Sequence, residues 1–167
     1  SFKYYSRFKK AFLSGDVEIH RGDSIMKVNK EIEVDLDANI AYVEQGFTFV
    51  KGALSASANT MILYIDEERA VVKGELTLVR TPELGNQVDD REEQLKQVET
   101  VMTGDGLEYK TVDDDIMVRI TGNVKIKQPD KTAEADYALF DGENQLYRLN
   151  GNVVIEGDSL DWLLDTT

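Results

Sequence analysis

Cysteine is absent from this 167-residue chain, and histidine occurs once, at His20. No disulfide can staple the fold, and no Cys/His metal set can form. No glycine loop has the spacing of a phosphate cradle. No apolar run approaches the roughly 20 residues that a membrane-spanning helix needs. Positive charge is the scarcer sign: 19 Lys and Arg stand against 32 Asp and Glu, a formal net of −13. An acidic surface repels a polyanion, which argues against a nucleic-acid partner. What remains is one domain, long enough to bury a core without staples. The missing cysteines leave cytoplasm and bacterial periplasm both open. The opening "SFKYYSRFKK" lacks the apolar stretch of a signal peptide; a removed signal, or a membrane anchor upstream of Ser1, is compatible with it.

Alternation of apolar and polar residues is what the chain does have. "GDVEIHRG" sets Val17 and Ile19 against Glu18 and His20, and "GELTL" sets Leu76 and Leu78 against Glu75 and Thr77. "GNVKIK" and "GNVVIE" do the same with Val124 and Ile126, and with Val153 and Ile155. A period of two is the signature of half-buried strands. The motif is glycine, a polar residue, then apolar–x–apolar, beginning at Gly15, Gly74, Gly122 and Gly151. A weaker copy, "QGFTF", aligns Phe47 and Phe49 if Gln45 takes the glycine position. Successive copies then lie 30, 29, 48 and 29 residues apart. Strands are expected to start near 15, 45, 74, 122 and 151.

A second element separates the copies: Asp or Asn, a β-rich run, then Asp. Examples are Asn59 to Asp66, Asp105 to Asp113, Asp136 to Asp141 and Asp158 to Asp165. Asn59 precedes Gly74 by 15 residues, as Asp136 precedes Gly151. A unit of about 29 residues cannot bury its apolar face alone, so units must stack or pair. The chain begins and ends mid-unit, which points to open edges or a longer parent. The long interval holds "NQVDDREEQLKQVETVM", a charged insert over about 85–103. Val88, Leu95, Val98 and Met102 fall near helical spacing there, and Asp89 with Glu92 fits a capping box, so a short helix over 88–102 and a projecting loop are both compatible.

The polar residues single out no chemistry. "DDD" at 113–115 and "DDREE" at 89–93 match no calcium-loop spacing and read as solvated turns and a helix start. No two of the 32 acids are marked as a hydrolytic pair. The RGD triplet in "HRGDS" reads as a hairpin turn, and His20 has no partner set.

The repeat resembles the OstA-like domain shared by the lipopolysaccharide transport proteins LptA, LptC and the N-terminal domain of LptD. The stretch "GNVKIKQPDKTAEADYALFDGENQLYRLNGNVVIEGDSLDW" carries the resemblance best, over 122–162; it extends loosely over 11–80 and stops at the insert. It implies an all-β fold, a twisted β-jellyroll or open slab of two antiparallel sheets, as a single domain over 1–167 interrupted by the insert. It implies no catalytic residue, no metal and no cofactor. It also implies a periplasmic location, a lipopolysaccharide or other acyl-chain ligand, and edge-strand association with like domains or further copies. On that reading Val17, Ile19, Phe47, Phe49, Leu76, Leu78, Val124, Ile126, Phe140, Val153 and Ile155 line one apolar trough. The alternatives are a structural or adhesive β-repeat module with a closed core, and an enzyme of carbohydrate chemistry with two facing carboxylates.

Overall fold

The computed structural model describes residues 1–81, 99–112, 115–141, 146–157 and 164–166. The described residues are all-β. The strands are β1 (Phe2–Tyr5), β2 (Lys10–Ser14), β3 (Val17–Arg21), β4 (Ser24–Val28), β5 (Glu31–Asp35), β6 (Ile40–Val43), β7 (Phe47–Lys51) and β8 (Leu54–Ala58). They continue with β9 (Thr60–Tyr64), β10 (Arg69–Arg80), β11 (Thr100–Val112), β12 (Asp115–Lys127), β13 (Lys131–Asp141), β14 (Leu146–Asn150), β15 (Val154–Gly157) and β16 (Leu164–Thr166). All belong to one sheet. Every pairing is antiparallel except that of β14 with β16.

The chain runs back and forth in long strands, each bent near its middle. β2 and β3 are two halves of one such strand, as are β4 and β5, β6 and β7, β8 and β9, and β14 and β15. β10 to β13 pass through the bend unbroken. β10 shows the rule: Arg69 to Lys73 pair with β9, and Thr77 to Arg80 pair with β8. The sheet therefore folds into two walls. The first holds β1, β2, β5, β6, β9, β14 and β16; the second holds β3, β4, β7, β8 and β15; β10 to β13 contribute to both. The repeat length is one traverse out and back: the turns at the first wall's rim close on Lys9, Asn39 and Glu68, all with positive φ.

The bend is built from the motif. The Asn59 amide donates to the Gly74 carbonyl (3.0 Å), and the Asp136 amide to that of Gly151 (2.9 Å). The 15-residue spacing in the sequence is thus a direct cross-strand contact. Beside it, the Asp105 carboxylate lies against Gly122 and accepts a hydrogen bond from Asn123 Nδ2 (2.9 Å). Asp136 does the same at Gly151, accepting from Asn152 Nδ2 (3.0 Å). Gly122 and Gly151 both have φ of +73°, followed by Asn123 and Asn152 at +49° and +47°. Two successive left-handed residues make a bulge and turn the strand, and Gly and Asn tolerate that backbone best.

Three expectations need correction. Gly74 and Gly122 lie inside β10 and β12 and do not begin strands, because the bulge shifts register at Lys73/Leu76 and Thr121/Val124 without ending the ladder. In the weaker copy Gly46, not Gln45, takes the glycine position: it receives the Asn29 amide (3.1 Å) and donates to the Asn59 carbonyl (2.7 Å). The insert ends before Thr100, where β11 starts, so Met102 is a strand residue paired with Leu78 and Ile126. Thr100 to Met102 of the expected helix are strand; residues 82–98, and with them positions 88–98 of that helix, lie outside the described residues.

Arg80 and Thr100 are direct cross-strand partners, so the ends that flank 82–98 already stand at hairpin distance. Replacing 82–98 with a short Gly-Asn turn is expected to change unfolding free energy by less than about 1 kcal/mol. Thermal unfolding of the shortened chain checks this; loss of a cooperative transition would place the insert in the core.

Candidate functional site

Alternation directs every second side chain of both walls toward one apolar core along the bend. On the second wall, the row nearest the bend runs through Val17, Val28, Phe47 and Ala58, then Leu76, Gly104, Val124 and Ala135. Val153, on the short link before β15, also packs against the core. One position outward the partners are Ile19, Met26, Phe49, Ala56, Leu78, Met102, Ile126, Ala133 and Ile155, each in register with the next. Aromatic and small residues alternate across strands: Phe47 faces Ala58 and Phe49 faces Ala56. The opposite face is mixed: Ile25, Val50, Val79 and Val101 share one row, beside cross-strand ion pairs Lys125–Glu134 (2.7 Å) and Lys27–Glu18 (3.3 Å).

Ten of the eleven expected trough residues thus share one face of one wall. Phe140 stands on the other wall, in register with Val118 and Tyr147. Sequence reading missed the rest of that first wall. Its row nearest the bend runs through Ile32, Val43, Met61, Val72, Leu107, Ile120, Ala138 and Leu149. At the N-terminal edge Phe2 pairs with Leu13 and Tyr4 with Ala11, which extends both inner rows onto β1.

Exposure rises from the bend outward on β3, β7 and β10, but not on β12 and β13, where Ile126 is 3 % and Ala133 1 % exposed. Val124 is 1 % exposed and Phe47 5 %, whereas Ile19 at the open edge is 41 % exposed. Phe49, Leu78, Met102, Phe140 and Ile155 are half-buried. The inner faces form a dry floor at the bend, with second-row positions that are half-buried at Phe49, Leu78 and Met102 and fully buried at Ile126 and Ala133. Phe2 and Tyr4 stand at one end, 66 % and 53 % exposed.

The trough holds no reactive constellation. Among the described residues no three His, Asp or Glu side chains converge on a metal-sized site. The resolved pKa shifts belong to cations outside it. Lys9, Lys10 and Arg69 are raised by hydrogen bonds to Asp37, Glu33 and Glu67 respectively. All three stay charged across the physiological range.

No known protein family matches the sequence, and no curated protein does. The fold is similar to that of LptH from Pseudomonas aeruginosa, described as the LptA-homologous periplasmic component of the lipopolysaccharide transport device. The TM-score is 0.61 at 14 % identity, covering 81 % of this chain and 95 % of that one. The two share a fold, a bent β-jellyroll.

Proposed function

We propose that this chain is a non-catalytic periplasmic carrier domain of the LptA or LptC kind, which passes lipopolysaccharide toward the outer membrane. One observation carries the reading: two apolar inner faces, continuous from edge strand to edge strand, whose outer rows are only half-buried at Phe49, Leu78, Met102, Phe140 and Ile155 and exposed at Ile19. Such a face is costly in water unless something apolar visits it. Acyl chains match its apolar chemistry. No helix of the described residues is long and apolar enough to cross a membrane; the acyl chains of this reading lie in the trough.

The sheet's ends supply the second half of the proposal. β1 and β3 form one edge, β15 and β16 the other. Unpaired strands recruit strands. The first ten residues carry Lys3, Arg7, Lys9 and Lys10 and no acid, while 141–167 carry six acids and one arginine. Opposite charge at opposite ends favours head-to-tail joining, with further copies or with related β domains, and aligns successive troughs.

The test is photo-crosslinking in cells that make lipopolysaccharide. Adducts are expected from probes at Phe49, Phe140 and Ile155, and not from outward Lys125 and Glu156. Equal labelling from both faces, or none, would leave a closed structural module as the reading that stands.

A further inference from the structure

The outermost inner row of the second wall changes character. Beyond Ile19, Phe49 and Leu78 the register runs Ser24, Lys51, Leu54, Arg80, Thr100. Gln128 and Lys131 continue it: Gln128 Nε2 donates to Thr100 Oγ1 (3.1 Å), and the Gln128 amide donates to the Lys131 carbonyl (2.9 Å). Lys51, Arg80 and Lys131 therefore stand on one lip, inside the mouth of the trough, and Arg21 holds the register position beside Ser24. No Asp or Glu occupies any inner position of this wall among the described residues, in a chain with 32 acids. Two outward lysines of this wall are matched, Lys27 by Glu18 and Lys125 by Glu134. Lys51 and Arg80 make no ion pair among the described residues. The facing lip differs: its turns carry the exposed apolar Leu36 and Ile65 beside Asp37, Asp66, Glu67 and Glu68.

We infer that this cationic lip binds the phosphate-bearing headgroup of the amphiphile whose chains lie in the trough, an inference that rests on the carrier reading above. The placement is stereochemically sensible. A chain extending from the floor passes two apolar rows and meets the cations where it leaves the wall. With strands about 4.8 Å apart, Lys51 and Arg80 stand about 10 Å apart along the lip and Arg80 and Lys131 about 14 Å, so a headgroup with two anionic groups can engage two of them. Among the described residues the carboxylates lie on the outer face, at the bend and in the turns, where solvent and salt screen them.

The test uses the full chain and displacement of a fluorescent fatty acid. Competitors are dodecyl phosphate, uncharged dodecyl maltoside, and chainless glucose 1-phosphate. Wild type is expected to prefer dodecyl phosphate over the maltoside by about five- to tenfold at low salt, from two partly solvated charge contacts. Lys51→Ala/Arg80→Ala should remove most of that preference and leave maltoside affinity within about twofold. Lys125→Ala/Lys127→Ala, with the same loss of net charge on the outer face, should keep the preference. Equal affinities in wild type, a preference that survives at the lip, or one lost equally in the outer-face variant would each overturn the inference while the trough stands. Displacement by glucose 1-phosphate as strong as by dodecyl phosphate would overturn it in favour of a free-phosphate site. If no amphiphile displaces the probe, the carrier reading itself fails and the lip with it.

Discussion

Gly122→Val is expected to lower unfolding free energy by about 3–5 kcal/mol. Two costs add. The backbone there has φ of +73°, a region that β-branched residues adopt only with strain of roughly 1–3 kcal/mol. A Cβ would also stand 2.9 Å from Asp105 Cγ and nearer still to a carboxylate oxygen, an overpacking cost of about 1–3 kcal/mol. Against a total stability of roughly 5–15 kcal/mol, such a loss shifts the midpoint by about 6–20 °C. Gly122→Ala keeps both terms in weaker form, and the pair Gly122→Ala/Asp105→Ala separates them. Removing the carboxylate should relieve the contacts with Cγ and the oxygen, leaving the 2.9 Å approach to Asp105 Cβ and the backbone part, which gives partial favourable coupling between the two sites. Urea unfolding of the four proteins measures this. Gly122→Ala within about 0.5 kcal/mol of wild type would mean that the bend does not depend on the glycine.

That bend divides what the sequence disclosed from what it hid. The second wall was legible where its strands alternate after a glycine: Glu18, Thr77 and Lys125 separate apolar neighbours in β3, β10 and β12. The first wall alternates with little contrast. Ile40 and Tyr42, Ile62 and Tyr64, and Val71 are apolar or amphipathic outer-face residues, half-buried among their cross-strand neighbours. With apolar residues on both faces, a period of two has no polar phase to reveal it. The glycines were visible but misread. Glycine commonly ends a strand, yet beside Glu75 or Asn123 it forms a bulge through which the ladder continues. Met102 fitted a helical spacing with Val88, Leu95 and Val98, and only the pairing with Leu78 shows it to be a wall residue. The cationic lip had no local signature at all. Lys51, Arg80 and Lys131 lie some 30 to 50 residues apart in sequence, and register alone brings them to one row.

Phe47 and Phe49 sit two residues apart on one strand and are expected to answer the same substitution in opposite ways. Phe47 lies on the floor, 5 % exposed, between Val28 and Ala58. Phe47→Ser removes its packing, leaves a cavity and buries a hydroxyl, a loss of about 3–5 kcal/mol. Phe49 stands one row outward, half-buried between Met26 and Ala56. Solvent already reaches it, so Phe49→Ser should cost about 1–2 kcal/mol, the share of a side-chain transfer that its partial burial represents. Function should order the pair the other way. An acyl chain laid along the second wall touches the outer row, so Phe49→Ser is expected to weaken displacement by dodecyl maltoside by about tenfold in a protein that remains folded. Phe47→Ser, at temperatures where it is still folded, should bind within about threefold of wild type. The readouts are urea unfolding and fluorescent-probe displacement on the same preparations. If Phe49→Ser binds like wild type while Phe47→Ser loses binding, the chain enters the floor rather than the wall. If neither substitution changes binding in the folded protein, the apolar rows serve as core alone.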